Sequence, residues 1–463
     1  MYQIDFNNPV NVYFIGIGGI SMSGLAEILK DRHFNVSGSD RAMSTITSAL
    51  TASGIQVNIG QRAENITSDL DVVVYTAAIS EDNPEYAACV AAGIPMLSRA
   101  ELLGQIMTNF ANSIAVSGTH GKTTTTSMIS HILLQASSDP TISVGGILPV
   151  LNGNIRIGHS GTFLTEACEY TNSFLQFYPK YAIILNVEED HMDFFHDLNE
   201  IRASFREFAS HTPADGAILL YDGITDNAAL TEGLACDHVI RFGFTDRADF
   251  CATEIVFDDK GCASFVLSCP GSAYDKETVQ LRVPGRHNVI NALAAITLAD
   301  CMDLPFRTVS KGLSSFHGAD RRFEYKGTWQ DVTVIDDYAH HPTEIKATLD
   351  AALKYPHNRI IVAFQPHTYS RTKAFLEDFA AALFPADIVV LADIYAARET
   401  DTLGISSEDL LRELQRLGHK EAYYFSTFEE IKKFLSEKCL HDDLLITMGA
   451  GNIVNIANEL TSK

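Results

Sequence analysis

The chain is poor in positive charge: 34 Lys and Arg stand against 58 Asp and Glu, a net charge of −24. Proteins that grip nucleic acid by its phosphates carry the opposite balance, so no nucleic-acid partner is expected. A nucleotide site survives this test, because it needs only local cations and backbone N–H donors. There is no C-x-x-C pair. Cys89, Cys168, Cys236, Cys251, Cys262, Cys269, Cys301 and Cys439 are scattered, several within apolar runs, as expected of free thiols in a reducing compartment. No apolar run approaches the ~18 residues of a membrane span, so no membrane partner is expected. The opening MYQIDFNNPV lacks the basic and apolar segments of a signal peptide. The expected location is cytoplasmic.

What is present is a long chain with apolar residues throughout. At 463 residues it suggests about three domains. The stretch around which they are organised is SIAVSGTHGKTTTT, residues 113–126. An apolar strand, Ile114-Ala115-Val116, runs into Gly118-Thr119-His120-Gly121-Lys122-Thr123-Thr124, and a helical pattern follows with Met128, Ile129, Ile132 and Leu133. Strand, glycine loop and helix are the context of a phosphate-cradling loop. Lys122 is placed to reach the β and γ phosphates, and the Thr123 hydroxyl to bind Mg²⁺. The loop is shorter than the usual G-x-x-x-x-G-K-[ST], because Val116 occupies the first glycine position.

Residues 1–108 read as a first α/β domain. A strand at 10–15 leads to Gly16-Ile17-Gly18-Gly19-Ile20-Ser21-Met22-Ser23-Gly24, a helix, and a strand at 34–37 ending near Asp40. This is a Rossmann-like βαβ unit with a glycine-rich turn. Ser21 stands at the third glycine position, so the pattern supports a nucleotide diphosphate without singling out a nicotinamide cofactor. Strands at 71–76 and 94–97 continue the alternation, with residues 77–79 following the first of them.

Residues 109–316 form the second, central domain, a P-loop ATPase-like parallel sheet. A strand at 163–165 delivers Glu166, and one at 181–187 delivers Glu188-Glu189-Asp190-His191. Binding groups gather at such strand ends, so Thr123, Glu166 and His191 are the expected ligands of a divalent metal, with Mn²⁺ able to substitute for Mg²⁺. Residues 217–283 hold five short strands, AILLY, HVIRF, ATEIVF, CASFVL and TVQLRV, expected as a hairpin-rich β insertion on the side of the domain. At 288 and 291 two asparagines open a helix; they could bond a base or ribose, or Asn288 could serve only as a cap.

After a linker near 314–320, residues 317–463 repeat the Rossmann-like theme. Four apolar strands run into polar clusters: 336–342 (DDYAHHP), 365–371 (QPHTYSR), 393–399 (DIYAARE) and 449–451 (GAG). All should collect on one rim of the sheet as a binding face.

Together these stretches resemble the Mur ligase family. GIGGISMSG (16–24), GTHGKTT (118–124), EACEYTNSF (166–174), NVEEDHMD (186–193), GRHNVIN (285–291), DDYAHHPTE (336–344) and QPHTYSRT (365–372) carry the resemblance over essentially the whole chain. It implies an ATP-dependent ligase of peptidoglycan precursor synthesis. The substrates implied are UDP-N-acetylmuramate and L-alanine, with an acyl phosphate formed on the way. The alternative within the family is a recycling ligase that attaches a peptide. The resemblance assigns Gly118, Thr119, His120, Gly121, Lys122, Thr123 and Thr124 to ATP phosphates, and Glu166 and His191 to Mg²⁺. Asn288, Arg322 and Asp337 would contact the nucleotide. Gly18 and Gly19 would lie against the UDP diphosphate, and His341 and Arg371 near the amino acid. Lys122, Glu166 and His191 would be the catalytic set. Cys168 stands where the family often has an acid and Ala339 where it often has glycine. No lysine lies between His191 and Asp259, so the carbamylated lysine of some relatives is expected to be absent.

The mechanism makes sense of the motifs. A carboxylate is a poor electrophile in water, so it must be phosphorylated before an amine can attack, and the third domain is expected to close over the site to exclude water. A nicotinamide oxidoreductase would leave the Gly-Lys-Thr loop unused. A nucleotide-driven switch would leave the third-domain His and Arg clusters unused. A monomer or homodimer is expected.

Overall fold

The computed structural model describes residues 2–76, 78–151, 153–192, 194–397 and 399–462. Ala77, Asp193 and Arg398, each within a loop singled out above, lie outside them.

Three sheets follow one another along the chain. The first contains β1 (Asn11–Ile15), β2 (Asn35–Asp40), β3 (Gln56–Ile59), β4 (Val72–Tyr75) and β5 (Met96–Ser98), in the order β3-β2-β1-β4-β5. All its pairings are parallel. Helices cover both faces, which is why β1 and β4 are apolar without alternation.

The central sheet has ten strands: β6 (Asn112–Ser117), β7 (Thr141–Leu148), β8 (Gly153–Arg156), β9 (Thr162–Glu166), β10 (Tyr181–Ile184), β11 (Ala217–Tyr221), β12 (Val239–Gly243), β13 (Phe250–Phe257), β14 (Cys262–Ser268) and β15 (Thr278–Pro284). Their order is β15-β14-β13-β12-β11-β10-β6-β9-β7-β8. The expected side insertion of hairpins is corrected here. AILLY and HVIRF are β11 and β12, which extend the sheet in parallel from β10, and β12 meets β13 in parallel as well. Antiparallel pairing begins only at β13–β14 and β14–β15, and again at the other edge with β7–β8. The cause lies in burial: four consecutive residues of β11 are buried, whereas β15 alternates exposed and buried. Continuous burial belongs to a strand covered on both faces, alternation to one half exposed.

The third sheet contains β16 (Glu324–Trp329), β17 (Val332–Asp337), β18 (Ile360–Phe364), β19 (Ile388–Leu391), β20 (Ala422–Tyr424) and β21 (Leu444–Met448), in the order β16-β17-β21-β18-β19-β20. Only β16 is antiparallel.

The seams between domains differ in kind. One apolar cluster runs from Val12 and Leu25 of the first domain to Phe163, Phe174 and Phe205 of the central domain. There the backbones approach closely. A Cβ on Gly24 would sit 2.1 Å from Ile155 Cδ1, and one on Gly104 would sit 1.9 Å from the Gln176 carbonyl oxygen. The third domain keeps its own clusters. It meets the central domain through polar pairs: Arg371 with Asp190, His120 with Glu344, and Thr343 with Glu188.

Candidate active site

The phosphate loop is shaped by its glycines. β6 is buried on both faces and carries the chain to Gly118 at φ 139° and Gly121 at φ 85°. Side chains avoid both conformations. Lys122 then opens the helix Lys122–Gln135, whose first residues have no capping side chain. The first-turn N–H groups are therefore left for an anion. Lys122 Nζ donates to the Gly118 and Thr119 carbonyls and to both Glu169 oxygens, at 2.9 and 3.2 Å. Burial acts to neutralise this ammonium, but the Glu169 carboxylate outweighs it and raises the Lys122 pKa.

Thr123 follows on the same turn, and its hydroxyl donates to Glu166 Oε2 at 3.0 Å. Glu166 also accepts from the Gly145 N–H at 2.6 Å. Burial raises its pKa against these bonds. A hydroxyl and a carboxylate are hard oxygen donors, a combination that suits Mg²⁺. His191 lines the same small space as Lys122 and Thr123. Its Nε2 lies 3.6 Å from Glu169 Oε1, and its ring stacks on Tyr170 at 4.5 Å. Among the described residues, no group of three or more His, Cys, Asp or Glu side chains is arranged to hold a metal ion. Of the three expected metal ligands, Thr123 and Glu166 are hydrogen-bonded to each other, and His191 lines the same small space as Thr123, beside Glu169.

A cavity of about 310 Å³ opens beside the loop, lined by His120, Gly121, Thr124, Asn288, Arg322 and Asp337 among others. Asn288 donates to the Pro284 carbonyl at 2.7 Å and accepts from Asn291 at 3.0 Å. It lies inside the helix His287–Cys301 rather than capping it. Asp337, at the end of β17, accepts from the Phe323 and Ala339 N–H groups, at 2.9 and 2.7 Å. Burial still pushes its carboxyl up to about 6. Arg322 stands 3.5 Å from Glu344, which also faces His120 at 3.3 Å and His340 at 3.2 Å. Burial disfavours the Glu344 carboxylate, yet those neighbours hold its pKa well below the ordinary value.

A second cavity of about 430 Å³ lies on the other side of His191 and His340, with Arg371, Tyr338, His367 and Glu399 in its wall. Arg371 donates to Asp190 from Nε and Nη2 and lies 3.1 Å from His367 Nδ1. His341 is elsewhere. It caps the helix Pro342–Ala352, accepting from Thr343 N at 3.3 Å, with its ring between His120 and Phe375, each 4.9 Å away. A smaller space of about 130 Å³ joins the two cavities, walled by Thr119 to Thr123, Asp190, His191, Arg322, His340 and Glu344.

In the first domain the glycine turn is set by its own partners. Gly16 has φ 83°. Gly16 and Ile17 donate to the Ser39 carbonyl, and Gly18 donates to Asp40 Oδ2 at 2.9 Å. Asp40 therefore braces the turn. Gly19 precedes the helix Ile20–Asp31, again without a capping side chain.

Three acids had no role assigned from the sequence: Glu169 and Asp190, both buried, and the partly buried Glu344. Each sits within three residues of a singled-out group (Glu166, His191 and His341), but burial and pairing come only from the fold.

Comparison with known proteins gives the same outline. A model described as "Mur ligase family, catalytic domain" matches residues 11–111. "Mur ligase middle domain" matches 116–299, and "Mur ligase, glutamate ligase domain" matches 321–451. The UDP-N-acetylmuramate–L-alanine ligase of Agathobacter rectalis is 60% identical over 100% of both chains. That of Lachnospira eligens is 55% identical over 99% of this chain and 100% of its own. Among solved structures, a UDP-N-acetylmuramate–alanine ligase from Thermotoga maritima aligns with TM-score 0.78 and 29% identity, over 97% of this chain and 98% of its own. A murein peptide ligase from Psychrobacter arcticus aligns with TM-score 0.69 and 25% identity, over 97% and 98%.

Proposed function

The chain belongs to the Mur ligase family, and from that premise we propose that it joins the lactyl carboxylate of UDP-N-acetylmuramate to the amine of L-alanine. ATP drives the step, in cytoplasmic synthesis of peptidoglycan precursors. The observation that carries this reading is Lys122 and Thr123, the latter bonded to Glu166, in the wall of the small space that joins the two larger cavities.

The larger parts then have separate tasks. The cavity with Asn288, Arg322 and Asp337 takes the nucleoside, and the glycine loop takes its phosphates. The carboxylate oxygen attacks the γ-phosphorus, the bond to the β-phosphate breaks, and ADP leaves. Lys122 neutralises charge on the moving phosphoryl group, which is where positioning and electrostatics supply most of the rate. Thr123 and Glu166 would hold Mg²⁺, or Mn²⁺ in its place, and the ion would offset phosphate charge. The amine then attacks the acyl carbon, the acyl–oxygen bond breaks, the amine gives up a proton, and phosphate leaves. Arg371, whose guanidinium also pairs with Asp190 and His367, offers its remaining N–H groups to the amino acid's carboxylate in the second cavity. Gly18 and Gly19 face the UDP diphosphate. The polar seam between the third and central domains keeps water from the acyl phosphate.

Attachment of a whole peptide is the weaker reading, since identity reaches 60% with alanine ligases against 25% with the murein peptide ligase. The test is phosphate release with ATP, Mg²⁺ and UDP-N-acetylmuramate across amino acids. L-alanine is expected to stimulate it most, and release that ignores the amino acid would refute the proposal.

A further inference from the structure

The turn that presents Arg371 is held in an unfavourable backbone conformation. Thr368, which caps the short helix Tyr369–Ala374, has φ 65° and ψ 147°. Threonine, branched at Cβ, reaches that region only when its surroundings impose it. Two sets of bonds do so. Thr368 N donates to the Tyr395 carbonyl at 2.9 Å, and Tyr395 N donates to the Pro366 carbonyl at 2.8 Å, which ties the turn to the loop after β19. From four residues further along that loop, Glu399 accepts from Ser370 N at 2.9 Å with one oxygen and from the Ser370 hydroxyl with the other.

Arg371 is the next residue. Its N–H reaches the Thr368 hydroxyl at 3.4 Å, and its guanidinium extends to Asp190 in the central domain. The position of that guanidinium in the 430 Å³ cavity therefore depends on a strained turn clamped by a carboxylate from another loop. Glu399 is half-buried and lines the same cavity. Burial works against its ionisation, but the Ser370 bonds prevail and lower its pKa, so the clamp is a carboxylate at neutral pH.

We propose that Glu399 is a positioning residue for the amino-acid site: by holding Ser370 it fixes the strained Thr368 turn and so aims Arg371 at the amino acid's carboxylate. This rests on the ligase reading above and on the second cavity being the amino-acid site. Among the described residues, Glu399 bonds to the Thr368–Ser370 turn and not to the phosphate loop or the first-domain glycine turn, so its loss should be felt by one substrate of the three.

The experiment is steady-state phosphate release by the full chain, varying L-alanine, ATP and UDP-N-acetylmuramate in turn. Glu399→Ala is expected to raise KM for L-alanine about tenfold or more, the scale of a lost charge-assisted hydrogen bond, with kcat and the other two KM values within about twofold. Glu399→Gln keeps one acceptor and should fall between. Ser370→Ala removes the hydroxyl from the other side of the clamp and should shift the same constant alone. An unchanged L-alanine KM in both alanine variants overturns the proposal. So does a uniform loss in kcat and all three KM values with a lowered melting temperature, which would mark a merely structural contact. Failure of the unaltered protein to release phosphate with all three substrates would instead defeat the ligase reading itself.

Discussion

Arg371 of the third domain donates twice to a single carboxylate oxygen of Asp190 in the central domain, at 2.9 and 3.2 Å, with Asp190 buried and Arg371 largely so. Asp190 also accepts from the His191 N–H at 2.7 Å. One ion pair thus bridges the seam at the edge of the phosphate site. Burial opposes the Asp190 charge, yet Arg371 holds its pKa far below the ordinary value. A carboxylate shifted this way contributes stability above the usual carboxylate range and loses it only in strong acid. Asp190→Asn is expected to cost about 3–5 kcal/mol at pH 7, the penalty of leaving a buried partner charge uncompensated. Melts of the variant and the parent should converge as pH falls below about 3.

Lys122→Ala is expected to lower ligation by at least about 1,000-fold, the scale of losing a charge that meets the transferring phosphoryl group. UDP-N-acetylmuramate binding, measured by calorimetry, should change little, because the first-domain turn is braced by Asp40 and Ser39 rather than by the phosphate loop. Loss of both together in a folded variant would contradict the separation of the sites.

Asp337 gives a pH signature. With its carboxyl at about 6, the folded protein holds that proton more tightly than the unfolded chain does. Its contribution to stability is therefore full in acid and is lost as pH rises through about 6. Nucleoside binding runs the other way, because the carboxylate is a far stronger acceptor for ribose hydroxyls than the neutral acid. Adenosine affinity, free of phosphate titration, should fall about tenfold per pH unit below 6, and Asp337→Asn should abolish that slope.

Gly145→Ala probes the Thr123–Glu166 pair without touching either residue. The new methyl carbon would lie 2.7 Å from Glu166 Oε2, so the carboxylate must move. The Mg²⁺ concentration for half-maximal activity is expected to rise about tenfold, with the melting temperature nearly unchanged, since Gly145 is exposed.

Much of this arrangement could be read along the chain because local chemistry dictates it. Gly118 and Gly121 occupy conformations that demand glycine, and an apolar strand precedes each polar rim. The sequence spacing suggests hairpins for β11 and β12, yet both pair in parallel; AILLY, unbroken by polar residues, carries the mark of a strand buried on both faces. The partnership of Lys122 with Glu169, 47 residues away, had no local signal. Nor did the approach of His191 to Glu169, since which acid a histidine faces is decided by packing. The place of His341, at a helix start between the His120 and Phe375 rings, is likewise set by packing.

The two seams also differ in what loosens them. Between the first and central domains, Gly24 and Gly104 leave no space for even a methyl, and the contact is mainly apolar. Between the central and third domains the contact is largely made of opposite charges. Ionic strength acts on the second and hardly on the first, so added electrolyte should slacken the molecule at one joint only, leaving two-thirds of it moving as a single block.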